Sequence, residues 1–286
     1  MKKKMIYFLI MILLSIVSCN SPVDRSGDKE KRGEGEKEIR RVVVPEFQDI
    51  IDSADVAGAI LVFDPAENIF YSNDFSWCET GHLPASTFKI PNSIIALETG
   101  VMESDSTIIK WDGEKRRLGV WEKDLTLQEA FHVSCVPCYQ EIARKIGVAR
   151  MKEYLAKLNY GHMLVDSASI DVFWLEGESK ISQFEQIDFL QRFYFSRLPI
   201  SERTEKMMKK LMVIEENDTF RLCGKTGWSI RKGNNNGWFV GYIEKGEKLL
   251  FFATNINPKI EFNMDLFPLI RKEITRNALD VFLKKL

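Results

Sequence analysis

The chain has 286 residues, of which 45% are hydrophobic and 28% charged, and its formal net charge is −1. This length is enough to bury one large core, or two lobes that share one, and the composition excludes a fibrous or wholly disordered protein. No basic stretch with interleaved aromatic residues is present, so nucleic acid is not an expected partner.

The first 18 residues have the pattern of an export signal. Three lysines at positions 2–4 precede an apolar run over residues 5–17, which is a signal-peptide length and too short to span a bilayer. The run ends in Ile16-Val17-Ser18-Cys19, which resembles the lipobox of bacterial lipoproteins. That resemblance implies cleavage before Cys19, acylation of its sulfur and a membrane-anchored, periplasm-facing protein. Plain secretion, with cleavage nearby and a soluble periplasmic product, is the alternative.

Residues 20–40 are polar and densely charged, and they offer no apolar area to offset the entropy cost of ordering. Residues 1–18 contain three lysines and no acidic residue, so their removal changes the net charge from −1 to −4. We therefore divide the chain into a signal peptide (1–18), a lipidated and disordered tether (19–40) and a folded domain (41–286).

The folded domain begins with a predicted hairpin, a strand over residues 56–63, a turn over 64–68 and a returning strand over 69–72. It leads to Ser86-Thr87-Phe88-Lys89, and a proline follows at position 91. Proline has no N–H for the regular bond back to Thr87, so we expect a tight turn around Ser86 and a regular helix over 91–98.

Ser86 and Lys89 are three residues apart, so on a helical turn their side chains share a face. Serine is a weak nucleophile without a neighbouring base. Lysine is such a base only if burial removes its proton, and the apolar neighbours Ala85, Phe88 and Ile90 favour burial. Alone, S-x-x-K also occurs by chance on helix surfaces.

Helices are predicted over residues 127–131, 139–146, 150–158, 182–198 and 202–212, so the middle of the chain is an all-helical lobe. Strands follow over 220–230, 237–244 and 248–255, with a turn at 231–236 between the first two and a closing helix over 267–286. This order predicts a mixed α/β fold, with a central antiparallel sheet flanked by helices, an inserted helical lobe and a cleft where they meet.

Two further motifs follow Ser86, namely Ser134-x-Val136 before a helix and Lys225-Thr226-Gly227 in a strand. In this order the three motifs are the signature of serine β-lactamases and penicillin-binding proteins. The segments LPASTFKIPNSIIALETG (83–100), GVWEKDLTL (119–127), FWLEG (173–177) and GKTGW (224–228) resemble the class D β-lactamases, or oxacillinases. Arg271-Lys272-Glu273-Ile274-Thr275 is similar to the R-x-x-I-T segment of that family.

The resemblance implies that Ser86 attacks the β-lactam carbonyl and forms an acyl-enzyme. It also implies that carbon dioxide carboxylates the Lys89 amine, giving the base for acylation and deacylation, and that the Trp174 indole N–H holds the carbamate. Val136 and Leu175 would form a dry wall beside it. Val136 and Leu175 would be buried apolar residues in either case, and Trp174 has the alternative of being only a core aromatic.

The resemblance assigns the remaining site residues to proton transfer and substrate binding. Ser134 would relay protons, and Lys225, Thr226 and Arg271 would bind the substrate carboxylate, with Gly227 and Trp228 also on the substrate-binding strand. Backbone N–H groups of Ser86 and Trp228 would form the oxyanion hole. Arg271 has the alternative of being one of several surface cations.

One position departs from the family pattern, since Tyr160-Gly161-His162 stands where the family has Y-G-N. This leaves the hydrogen bonding of the cleft edge and the substrate preference open. The other two histidines, His82 and His132, show no metal-ligand spacing, so no metal site is expected.

Cys135-Val136-Pro137-Cys138 has the spacing of a redox dithiol but overlaps the S-x-V motif, so we favour two small buried residues lining a wall of the site. The pairing of these cysteines with each other, or with Cys78 and Cys223, cannot be read from the sequence.

The primary hypothesis is a hydrolase of β-lactam antibiotics. The alternative is a penicillin-binding or β-lactam-sensing protein that is acylated at Ser86 and deacylates slowly, and a third reading is a structural lipoprotein on a degenerate fold. The sequence determines neither the preferred drug class, including carbapenems, nor whether a homodimer forms.

Overall fold

The computed structural model describes residues 38–284. The predicted signal peptide, Cys19 and the tether through residue 37 lie outside the described residues. Among the residues that are described, no helix is long and apolar enough to cross a membrane.

The strands form one large sheet and one short ribbon. The strands are β1 (Arg40–Val43), β2 (Val56–Asp64), β3 (Ile69–Ser72), β4 (Ile108–Ile109), β5 (Leu125–Thr126), β6 (Val213–Glu216), β7 (Phe220–Arg231), β8 (Asn234–Lys245) and β9 (Lys248–Pro258). The large sheet has the order β1-β3-β2-β9-β8-β7-β6, and β4 pairs with β5. All neighbours in the large sheet are antiparallel except β1 and β3, which are parallel.

Most helices lie between β3 and β6 along the chain. The helices are α1 (Pro45–Ser53), α2 (Phe75–Glu79), α3 (Lys89–Glu98), α4 (Leu127–His132), α5 (Val136–Ile146), α6 (Val148–Leu158), α7 (Gln183–Tyr194), α8 (Glu202–Leu211) and α9 (Phe267–Leu283). Two short 3₁₀ turns, Ala85–Phe88 and Gly119–Trp121, complete the list.

Apolar side chains alternate between the two faces of the sheet, as the two-residue repeat of a strand requires. On β2, Leu61 packs with the helical lobe, in what we call the lobe-side core, whereas Ile60 and Val62 pack with α1 and α9 in the opposite core. Both faces of the central strands are therefore covered, which explains their nearly continuous apolar sequence.

The structure confirms the predicted α/β class, the antiparallel central sheet and the inserted helices. The six-residue turn predicted at 231–236 is wrong: Arg231 pairs with Asn234, and only Lys232 and Gly233 form the turn. Both turn residues have positive φ (48° and 80°), as a two-residue hairpin turn requires. Asparagine disfavours strands, but cross-strand pairing overrides that preference here.

Candidate active site

Ser86 and Lys89 are both buried and lie in contact. Ser86 is in the 3₁₀ turn and Lys89 is the first residue of α3, and the Lys89 Nζ donates to Ser86 Oγ at 3.1 Å. Lys89 is only 1% exposed, and the ring of Tyr139 lies 4.8 Å from its Nζ. Burial, reinforced by the charge of Lys225, holds the pKa of Lys89 well below its ordinary value and so favours the neutral amine.

Hydrogen bonds from distant parts of the chain hold the turn that carries Ser86. They include those from Trp238 Nε1 to Leu83 O (2.8 Å), from Ala85 N to Trp174 O (2.9 Å) and from Gln186 Nε2 to Thr87 Oγ1 (2.9 Å). The turn is thereby joined to the sheet, to the segment before α7 and to α7 itself. Sequence reasoning missed Trp238 and Gln186, because neither belongs to a motif and only the packing brings them to the turn.

The backbone next to the nucleophile has an unusual conformation. Ala85 has φ = 51°, in the left-handed region that residues other than glycine rarely adopt. The helix begins only after the turn, and Pro91 is its third residue. The predicted tight turn followed by a regular helix is confirmed, although the regular helix begins at Lys89, two residues before Pro91.

Strand β7 packs directly against the Ser86 turn. A Cβ added to Gly227 would lie 3.1 Å from Pro84 O and 3.2 Å from Thr87 Cγ2. The strand and the turn are therefore close enough that this position accepts only glycine without displacement. This contact places the Lys225-Thr226-Gly227 segment beside Ser86.

Lys225 is 5% exposed, and its Nζ lies 5.6 Å from the ring centre of Phe131. Burial first, and then the charges of Arg271 and Lys272, lower the pKa of Lys225 to about 7. The side chain is thus a buried cation near its titration point, in a place where an anion would be stabilised.

Arg271 is buried beneath the end of β7. Its guanidinium donates to the carbonyl oxygens of Phe267 (3.0 Å) and Gly227, and it lies 6.0 Å from the ring centre of Trp228. It is 6% exposed, and burial lowers its pKa to about 10. The alternative that Arg271 is a surface cation is therefore wrong.

Trp174 is fully buried against the turn that carries Ser86. Its ring stacks on Phe88 with ring centres 5.2 Å apart, and Phe173 packs edge-on against it. The indole Nε1 has no hydrogen-bond acceptor among the described residues. Because an unpaired buried donor is costly, this N–H would favour a bound acceptor at this position.

A cleft of about 440 Å³ opens between the start of α5, residues 175–176 and the end of β7. Val136 and Leu175, both half-buried, contribute to its apolar lining together with Trp121 and Trp228. Three consecutive cations at positions 115–117 lie at its edge. The cleft is large enough for a small bicyclic molecule with side chains.

Ser134 lies between α4 and α5, half-buried and with φ = 54°. Cys135 and Cys138, directly after it, are both buried, as expected, and they form a disulfide, a pairing that the sequence had left open. A disulfide agrees with the predicted export signal, since exported proteins often pair their cysteines. Cys78 and Cys223 are free and buried.

His162 makes its hydrogen bonds through its backbone. Its N–H and C=O pair with Lys180, each at 2.8 Å, and its side chain is exposed. Tyr160, two residues earlier, is buried and donates to Gln186 Oε1 at 3.3 Å. The tyrosine of this motif therefore supports the Ser86 turn through Gln186, while the histidine side chain points away from the core.

Comparison with known proteins gives a consistent family. Residues 58–278 match the penicillin binding protein transpeptidase domain. The chain is 38% identical over 219 residues to β-lactamase OXA-48 of Klebsiella pneumoniae, which covers 77% of this chain and 82% of that protein. It is 40% identical over 214 residues to β-lactamase OXA-10 of Pseudomonas aeruginosa, with coverage of 74% and 80%.

The fold agrees with these relatives. The class D β-lactamase from Sebaldella termitidis superposes with a TM-score of 0.81 at 36% identity, covering 86% of this chain and 98% of that one. Sequence, fold and the buried serine–lysine pair thus lead to one conclusion. The chain belongs to the class D β-lactamases, hydrolases of the β-lactam ring.

Proposed function

We propose that this enzyme opens β-lactam antibiotics through an acyl-enzyme on Ser86. The observation that carries the proposal is the 3.1 Å contact between Ser86 Oγ and the buried Lys89 amine. Ser86 Oγ attacks the ring carbonyl while the base removes its proton, the ring C–N bond breaks, and the ring nitrogen takes a proton. Water then cleaves the ester and frees Ser86.

We further propose that carbon dioxide carboxylates Lys89 in the working enzyme. The buried amine with lowered pKa supports this, since only a neutral amine reacts with carbon dioxide. The unpaired Trp174 N–H fits a carbamate oxygen, and Val136 and Leu175 supply the apolar lining beside it. When present, the carbamate supplies the base for both acylation and deacylation.

The other residues bind the substrate or move its protons in this proposal. Lys225, Thr226 and Arg271 attract the carboxylate common to β-lactams, Arg271 through its planar guanidinium. Ser134 passes a proton between the base and the leaving nitrogen. The backbone N–H groups of Ser86, in the 3₁₀ turn, and of Trp228, directly after Gly227 in β7, stabilise the oxyanion.

The test uses protein lacking residues 1–19 and a chromogenic cephalosporin, with and without bicarbonate. We expect turnover that falls when carbon dioxide is stripped at mildly acidic pH and returns with bicarbonate, and no turnover by Ser86→Ala. Bicarbonate-independent turnover would refute the carbamate while leaving Ser86 in place.

Mass spectrometry after mixing separates the other candidates. A persistent acyl adduct without turnover would identify a penicillin-binding sensor, and no adduct would identify a structural protein.

We also propose a membrane-anchored lipoprotein facing the periplasm, supported by the apolar run before Cys19. Full-length protein should fractionate with membranes, and Cys19→Ser should accumulate as unprocessed precursor. A soluble, normally processed Cys19→Ser protein would indicate plain secretion instead.

A further inference from the structure

We propose that the Cys135–Cys138 disulfide is a positioning clamp for the wall of the Lys89 pocket, and this inference rests on the proposed function. The clamp holds the first turn of α5, from which Val136 and Tyr139 extend toward the cleft and Lys89. Without the disulfide, water would enter the pocket and the carbamate on Lys89 would be less stable.

The disulfide closes a small ring at the start of α5. Cys135 is the N-cap residue of the helix, its Sγ accepts the N–H of Cys138 at 3.2 Å, and only Val136 and Pro137 lie between the two cysteines. Both cysteines are buried, with 0% and 9% exposure. The covalent bond therefore fixes the same turn that the cap hydrogen bond shapes.

Two residues of this turn lie toward the site, and each directly follows one of the two cysteines. Tyr139 lies 4.8 Å from Lys89 Nζ, and its hydroxyl bonds Ser93 Oγ at 2.7 Å on α3. Val136 lines the main cleft, and Ser134 immediately precedes the ring. A shift of this turn would thus move the floor of the Lys89 pocket and its apolar wall together.

The disulfide faces a second cavity on the other side of the turn. This cavity of about 360 Å³ is polar and is lined by both cysteines, with Pro137 and Trp121 on the boundary that it shares with the main cleft. Both cysteines line this cavity and neither lines the main cleft, so a small water-soluble reductant would reach the disulfide from this side, through Cys138, the less buried of the two. The clamp can be opened while the site residues stay chemically intact.

A clamp and a purely structural disulfide give different results when the cross-link is removed. The closed loop is short, so its removal should lower the melting temperature by only a few degrees. Small displacements at a catalytic centre are far more costly, and we expect a turnover loss of about ten-fold or more with a matching rise in the bicarbonate concentration needed for half-maximal rate.

The experiment compares wild type with Cys135→Ser/Cys138→Ser, in which a serine hydroxyl can still cap α5. It also uses wild type reduced by a water-soluble phosphine, which gives two electrons to the disulfide and becomes the phosphine oxide. One water molecule supplies the oxygen of the oxide and the two protons of the thiols. The matched control is Cys78→Ala/Cys223→Ala, which removes the two free thiols and keeps the disulfide. We expect both opened forms to need more bicarbonate and the control to behave as wild type.

Two outcomes would overturn the clamp. One is unchanged turnover and bicarbonate dependence in protein whose disulfide is shown by mass spectrometry to be absent. The other is an equal rate of single-turnover acylation of Ser86 in the opened and closed forms. This measurement decides if wild type itself needs no bicarbonate, because the carbamate proposal then fails independently of the clamp. A ten-fold loss of the acylation rate in the opened forms would support the clamp.

Discussion

Lys89 and Lys225 are both buried, and both have lowered pKa values, but the same shift serves opposite purposes. In the proposed mechanism the neutral amine is the useful form of Lys89, because only this form accepts a proton or reacts with carbon dioxide. In the same mechanism the cation is the useful form of Lys225, because it attracts the substrate carboxylate. With a pKa of about 7, Lys225 changes charge in the physiological range.

This titration predicts a pH dependence of substrate binding. Above about pH 7, Lys225 becomes neutral in the enzyme without bound substrate. KM should therefore rise with pH between about 6 and 8. Lys225→Arg should keep the charge and flatten this rise, and Lys272→Gln should move its midpoint to higher pH by removing a neighbouring cation. Steady-state kinetics across this range check the prediction, and a constant wild-type KM would contradict it.

Deprotonation of Lys225 at higher pH weakens substrate binding but has the opposite effect on stability. Its pKa is lower in the folded protein than the ordinary 10.5, so between about pH 7 and 10.5 the unfolded chain binds more protons. The Lys225 contribution to the free energy of unfolding should therefore rise with pH in this window. Chemical denaturation of wild type and Lys225→Met, compared at pH 7 and 9, measures it, and an equal change in both proteins would exclude it.

Trp174 gives a second prediction. Trp174→Phe keeps an aromatic ring on Phe88 and removes the unpaired N–H, so the protein should remain folded. Loss of a hydrogen bond to a charged group typically corresponds to about 10- to 100-fold in an equilibrium constant, and we expect the bicarbonate requirement to rise by that factor. Titration of activity with bicarbonate measures it.

Trp77→Phe is the matched control for Trp174. Its indole N–H is bonded to Asn255 Oδ1 at 3.0 Å, so this change also removes an indole donor but leaves the Lys89 pocket alone. The control should show wild-type bicarbonate dependence. If Trp174→Phe also did, the indole would be only a packing residue.

The catalytic turn depends on contacts between elements that are distant in the sequence. Motif reasoning found Ser86, Lys89 and Lys225, because their spacing and chemistry are visible in the chain. It did not find Trp238 or Gln186, whose hydrogen bonds hold the turn, because a single buried tryptophan or glutamine has no local signature. Their importance follows from the tertiary packing alone.

The Gly227 contact predicts a selective loss of activity. In Gly227→Ala the new methyl group would press on Pro84 O and Thr87 Cγ2 and displace the Ser86 turn. Overpacking of this kind typically costs about 1–3 kcal/mol, and we expect a larger proportional loss in kcat than in stability. Thermal unfolding and steady-state kinetics on the same sample measure both.

Gly119→Ala is the control for this substitution. A Cβ at Gly119 meets no atom within 4 Å, and this glycine has no positive φ. Gly119→Ala should therefore leave both quantities close to wild type. A Gly227→Ala enzyme with full kcat would show that the turn tolerates displacement.

At the scale of the whole molecule, apolar runs bounded by turn residues are sufficient to predict the central sheet. The edge strand β1 was missed because all four of its residues are exposed, so no burial pattern distinguishes it from the preceding segment. Strand β6 is also short and alternates only weakly. Edge strands depend on pairing rather than burial, and sequence patterns report mainly burial.

The shared sheet predicts cooperative unfolding. The lobe-side core includes Leu61 and Phe251 from the sheet together with Ile142 of the helical lobe, so the helical lobe shares its apolar core with the sheet. Protein lacking residues 1–19 should unfold in one transition, with coincident calorimetric and fluorescence curves. Two separated transitions would show that the lobe unfolds independently.

The left-handed conformations at Ala85 and Ser134 limit how this enzyme can adapt. A non-glycine residue held in this conformation typically reduces the free energy of unfolding by about 1–3 kcal/mol. Substitutions that relax the conformation, such as Ala85→Gly, would therefore increase heat resistance. Such substitutions would loosen the turn that carries Ser86, or remove the Ser134 hydroxyl, which we propose transfers protons. A lineage selected for both heat resistance and drug hydrolysis must therefore find its stabilising mutations far from these two turns, for example where α1 and α9 cover the sheet.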